Sequence, residues 1–208
     1  MDYSLYFVTD WKTQKGRDTL WVVQEAIAGG VTVVQLRKKE GSTRLLVEES
    51  RKIRKITREA KVLFIVNDRL DVALACDADG VHLGEEDLPL SLARKIAPRL
   101  LIGYSCDTVE EAQKAEKLGA SYLGVGSVYP TSTKPDAGEP IGLERLKAVV
   151  ASVSIPVVAI GGIDLSRVED VLKTGVAGVA VASAIGGASS PRAAAFSFRQ
   201  KIRQVRGE

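Results

Sequence analysis

Eight short apolar runs, each followed by an amphipathic segment, recur along this 208-residue chain at intervals of roughly 25 residues. The runs occupy residues 5–9, 31–36, 62–66, 80–83, 101–105, 121–126, 156–160 and 178–181. Most are continuous stretches of Val, Ile and Leu, the pattern of strands covered on both faces of a parallel sheet. The segments at 19–28, 42–59, 69–76, 90–97, 109–118, 143–151, 165–173 and 191–206 carry apolar side chains at helical spacing. Several end at a glycine that can take a left-handed cap: Gly29-Gly30, Gly119 and Gly175. Ser42, Asp107 or Thr108, and Asp164 stand where N-caps belong.

Eight strand–helix units in this length meet the lower size limit of a (β/α)8 barrel, so the expected fold is α/β, a TIM barrel forming a single domain over residues 1–208. A doubly wound open sheet is the alternative. The count of eight and the lack of Gly-x-Gly-x-x-Gly after the first run favour the barrel.

Composition removes several classes of function. The 29 basic and 26 acidic side chains leave a net charge of +3 and alternate along helix faces. The densest basic run, 51–58, is interrupted by Ile53, Ile56 and Thr57, so no nucleic-acid partner is expected. The opening residues lack a basic start followed by a long apolar core, and no run of about 18 apolar residues occurs, which predicts a cytoplasmic protein without a membrane partner. Cys76 and Cys106 lie far apart with no Cys-x-x-Cys, and read as reduced thiols. The one histidine, His82, excludes a multi-histidine metal site. Alternation puts His82 on the opposite face from Val81 and Leu83, either inward among barrel layers or outward against helices.

Barrels of this kind carry their chemistry at the C-terminal ends of the strands. The residues there are Asp10; Gln35, Arg37, Lys38 and Lys39; Asn67 and Asp68; Gly84, Glu85, Glu86 and Asp87; Ser105; the loop 124–140; Gly161-Gly162; and Ala182 and Ser183. The small residues of the last two turns can bring backbone amides close to a monophosphate, although glycine pairs also end strands for steric reasons. Arg37, Lys39 and Lys134 offer positive charge, and Thr131 and Thr133 offer donors, to a second anion. Asp68 and Asp87 are hard oxygen ligands suited to Mg2+, which would let them help hold a diphosphate. Each could instead cap the helix that follows it.

The segments QLRKK, VNDR, GVHLGEEDLPL, IGYSCDT, GVGSVYPTSTK, AIGGI and VASAI, in this order, resemble thiamine phosphate synthase over essentially the whole chain. The resemblance implies a transferase that joins hydroxymethylpyrimidine diphosphate to the phosphate of a hydroxyethylthiazole, giving thiamine monophosphate and pyrophosphate. It implies Mg2+ on Asp68 and Asp87. Arg37, Lys39, Asn67, Ser105 and Lys134 would hold the pyrimidine diphosphate, with Gln35 nearby. Thr131 and Thr133 would contact either the thiazole phosphate or the diphosphate, and Gly162, Ala182 and Ser183 the thiazole phosphate. One departure is Lys38, where the family usually has an acidic residue. Two other functions compete on the same scaffold: a thiazole tautomerase, and a non-catalytic protein that binds a phosphorylated ligand. Oligomeric state is left open, with a homo-oligomer among the forms permitted.

Overall fold

A computed structural model of the protein describes residues 1–208 apart from Ser132 and 134–137. Eight parallel strands pair in chain order: β1 (Leu5–Val8), β2 (Val33–Leu36), β3 (Leu63–Asn67), β4 (Gly80–Leu83), β5 (Leu101–Cys106), β6 (Tyr122–Val125), β7 (Val157–Ile160) and β8 (Gly178–Val181). The last pairs with the first, Leu5 opposite Val179 and Phe7 opposite Val181, so the sheet closes into a barrel and the open-sheet alternative is not realised. Around it lie α1 (Thr19–Ala28), α2 (Thr43–Ala60), α3 (Leu70–Ala75), α4 (Leu90–Ile96), α5 (Val109–Lys117), α6 (Gly142–Ser152), α7 (Val168–Lys173), a four-residue α8 (Ser183–Gly186) and α9 (Pro191–Arg206).

Capping accounts for several helix starts. Ser42 accepts the Leu45 amide, and Thr108 forms a capping box with Glu111, which settles the choice between Asp107 and Thr108. Asp164 does not cap a helix. Its carboxylate accepts the amides of Ser166 and Arg167, closing a turn ahead of α7, and so the helix begins at Val168 instead of the expected 165. The helix α8 is too short for hydrophobic periodicity to reveal.

Each strand is buried on both sides, which is why its residues read as continuous apolar runs. Outward side chains join the helices in the larger core. Inward ones, including Tyr6, Val33, Ile65, Tyr122 and Val158, fill the barrel itself. Aromatic rings fit there because neighbouring strands give up side chains: a Cβ on Gly103 would overlap the Tyr122 phenol and the His82 ring.

At the base of the barrel Asp79 is more than a turn residue. It takes both prongs of Arg54, at 2.8 and 2.9 Å, and accepts the Phe64 amide at 2.8 Å. Asp77, with a positive φ of 55°, is a turn residue and pairs with Arg58. Both cysteines are buried free thiols, and burial pushes the Cys106 thiol up to about 12. Among the described residues no helix is long and apolar enough to cross a membrane.

Candidate active site

A cavity of about 430 Å3 opens at the C-terminal rim between the turns after β6, β7 and β8 on one side and Asp10 with Arg37 on the other. Val8, Ile160, Ile163, Ala180 and Val181 make its floor apolar, while Thr131, Thr133, Gly161, Gly162, Ala182 and Ser183 surround its mouth. Gly161 and Gly162 have φ of 100° and 63°, where L side chains are strained. A Cβ on Gly162 would also lie 2.5 Å from the Pro130 carbonyl oxygen, so the pair lets the root of the loop after β6 rest on this turn. Arg167 fastens the same junction. It donates to the Gly162 carbonyl at 2.5 Å, and its guanidinium lies 4.6 Å from the Tyr129 ring centroid. Thr133 donates its amide to Thr131 Oγ1 at 3.2 Å and its hydroxyl to Ser183 Oγ at 3.4 Å, joining the loop to α8. Lys134 lies outside the described residues.

Beside this cavity stands a charged cluster. Arg37 is 3.6 Å from the buried carboxylate of Asp10, and Lys39 is 3.6 Å from Asp68. Asp68 takes a φ of 63°, uncommon for a residue with a side chain, and donates its amide to the His82 carbonyl at 2.8 Å. Burial, and then the neighbouring Asp87 carboxylate, push its carboxyl above the usual range against the opposing pull of Lys39. Neither aspartate caps a helix: α3 and α4 have no side-chain cap, and Asp87 accepts the Gly84 amide at 2.7 Å within its own turn. Among the described residues no group of three or more His, Cys, Asp or Glu could hold a metal. Two facing carboxylates, one raised by the other, nevertheless suit an ion that completes its shell with water and phosphate oxygens, as Mg2+ does.

Lys38 turns away from this cluster and pairs with Glu49 of α2 at 2.6 Å, so the extra cation is neutralised off the rim. Asn67 ends β3 in register with His82.

The interior floor beneath the charged cluster is polar. Gln35 donates to Tyr6 at 2.7 Å, Tyr6 meets Tyr122 at 2.7 Å, Tyr122 meets His82 Nδ1 at 3.0 Å, and His82 Nε2 meets Ser105 Oγ at 2.9 Å. His82 therefore points inward, resolving the choice that alternation left open. Sequence reasoning missed Tyr6, Tyr122 and Arg167 as supports of the rim, and placed Asp10 there without assigning it the pairing with Arg37. The two tyrosines sit inside apolar runs and resemble core residues. For Tyr122 and His82 the available signal was glycine at inward positions, Gly103 on the strand between them and Gly124 on the strand of Tyr122, which makes room for large polar-tipped side chains.

The family model for thiamine monophosphate synthase matches residues 5–185. A thiamine-phosphate synthase of Moorella thermoacetica is 50% identical over 207 residues, covering 99% of each chain. One from Pyrococcus furiosus is 51% identical over 203 residues, covering 98% of this chain and 96% of its own. A solved thiamine phosphate pyrophosphorylase from Pyrococcus furiosus superposes with a TM-score of 0.91 at 48% identity, covering 98% of this chain and 97% of its own. With the rim motifs assembled on one face of a closed barrel and a match along nearly its whole length, the chain belongs to the thiamine monophosphate synthase family.

Proposed function

We propose that the chain is a transferase that condenses 4-amino-2-methyl-5-hydroxymethylpyrimidine diphosphate with 4-methyl-5-(2-phosphoethyl)thiazole, or its carboxylated form, to give thiamine monophosphate and pyrophosphate. The observation that carries this reading is the pairing of two different anion-seeking sites on one rim. A glycine-rich, apolar-floored cavity suits a thiazole phosphate, and the adjoining Arg37, Lys39, Asp68 and Asp87 suit a metal-bound diphosphate.

In this reading the methylene C–O bond breaks heterolytically and its electron pair leaves with the diphosphate. The thiazole nitrogen then gives its lone pair to the pyrimidine-methyl cation, forming the C–N bond without a base. Asp68 and Asp87 would hold Mg2+, which when bound neutralises the leaving diphosphate. Arg37 and Lys39 take up charge on the same oxygens, and Lys134, by its place in the loop motif, is assigned there too. Gln35, Asn67 and Ser105 orient the pyrimidine substrate. Gly162, Ala182 and Ser183 hold the thiazole phosphate, with Thr131 and Thr133 between the two substrates. Holding the nucleophile against the nascent cation supplies the effective concentration the second step needs.

The test is pyrophosphate release from the two phosphorylated substrates with and without Mg2+. Mg2+-dependent release that requires both substrates is expected. Binding without release would leave a phosphate-ligand binding protein, and isomerisation of the thiazole alone would point to a tautomerase; either result refutes the synthase reading.

A further inference from the structure

We infer that His82 is a positioning residue: a one-way chain of hydrogen bonds through the barrel interior fixes its proton on Nε2 and leaves the Ser105 hydroxyl hydrogen free to donate into the site. The direction follows from counting hydrogens. Tyr6 accepts from the Gln35 side-chain amide, and its own single hydrogen has Tyr122 Oη, 2.7 Å away, as its partner. With Tyr6 only 2% exposed, the opposite direction would bury that hydroxyl hydrogen without an acceptor, which folded interiors avoid.

Tyr122, wholly buried, therefore accepts from Tyr6 and spends its hydrogen on His82 Nδ1 at 3.0 Å. An imidazole that accepts at Nδ1 and is satisfied at both nitrogens is the neutral ring with its proton on Nε2. That proton goes to Ser105 Oγ at 2.9 Å. Ser105 is exposed on the rim, so its remaining hydrogen is directed to whatever occupies the space above. The ring cannot swing to another arrangement at low cost, because the places where side chains would stand on Gly103 and Gly124 are already filled by His82 and Tyr122.

The catalytic consequence rests on the function proposed above: Ser105 touches substrate as an obligatory donor to an anionic group, and His82, Tyr122 and Tyr6 act only through it. Because the protein has one histidine, its imidazole 15N–1H correlation spectrum reads the ring directly. At pH 7.5 the neutral Nε2–H form is expected; the Nδ1–H form or an imidazolium would overturn the inference. In turnover, Tyr122→Phe should lower kcat about tenfold, the size of one misdirected hydrogen bond, with KM for the thiazole phosphate unchanged. The same change in a Ser105→Ala background should cost nothing further. Equal losses in both backgrounds would mean that Tyr122 serves packing and would refute the positioning role. If the wild-type protein released no pyrophosphate, the proposed reaction would fall while the spectrum still decided the chain's polarity.

Discussion

Replacing Gly103 by alanine tests the packing of the barrel interior by the sign of its effect. Gly103 lies in β5 without a positive φ, so its backbone already suits a side chain. In open space the extra methyl would stabilise the protein, by about 0.8 kcal/mol from burial and about 0.4–1 kcal/mol from a less flexible unfolded chain. The three atoms nearest the new Cβ are instead Tyr122 Cζ, Tyr122 Oη and His82 Nδ1, all closer than carbon can approach them. Overpacking costs about 1–3 kcal/mol. Forcing Tyr122 from His82 strands buried polar groups at about 1–3 kcal/mol more. After subtracting the gain, the expected net loss is about 2.5 kcal/mol, equivalent to a fall in Tm of roughly 5–10 °C for a domain of this size. Equilibrium urea unfolding followed by circular dichroism measures it. An unchanged or higher midpoint would refute the account of a filled interior.

Asp79→Ala should destabilise by about 2–3 kcal/mol, since it leaves a largely buried Arg54 without its two-pronged partner, yet kcat should not change because the pair lies at the base of the barrel. Arg167→Met frees the Gly162 carbonyl and the Tyr129 ring; KM for the thiazole phosphate should rise about tenfold, with a smaller change in KM for the pyrimidine diphosphate. Asp87→Ala should raise the Mg2+ concentration needed for half-maximal pyrophosphate release by at least about tenfold, and an unchanged requirement would return Asp87 to a purely local role in its turn. Hydrogen bonds from Lys201 and Lys173 lower the Glu169 carboxyl from 4.5 to about 2. A depressed folded value stabilises above the unfolded one, so the stability difference between wild type and Glu169→Gln should be full above pH 4.5 and close as pH falls towards 2 in acid titrations of the midpoint.

The barrel was legible because burial on both faces makes most strands continuous apolar runs, and because caps such as Ser42 and Thr108 mark their helices in sequence. Hydrophobic periodicity failed where a short-range turn or a very short element set the boundary. The Asp164 turn delays α7, and α8 has too few residues to show a period. Placing the polar residues on one rim needed only the rule about strand ends, whereas choosing between capping and pairing for Asp68 and Asp87 needed their mutual approach in space. The least legible part was the interior. Tyr6 and Tyr122 meet only when the barrel closes, and alternation alone could not say which face of β4 looks inward.

The pairing of β8 with β1 also governs how the chain must reach its native state. Leu5 waits for Val179, so at synthesis rates of about 5–20 residues per second the edge of β1 stays unpaired for on the order of ten to thirty seconds. That edge bears Leu5, Tyr6, Phe7 and Val8, a short β-prone segment of the kind that recruits other strands when left open. The final helix contributes to closing it, since α9 packs against α1 and β1 and its Arg199 and Arg206 reach Asp2 and Ser4 beside that strand. Truncation within α9 would therefore be felt as aggregation of newly made chains before it was felt as lost activity of folded ones.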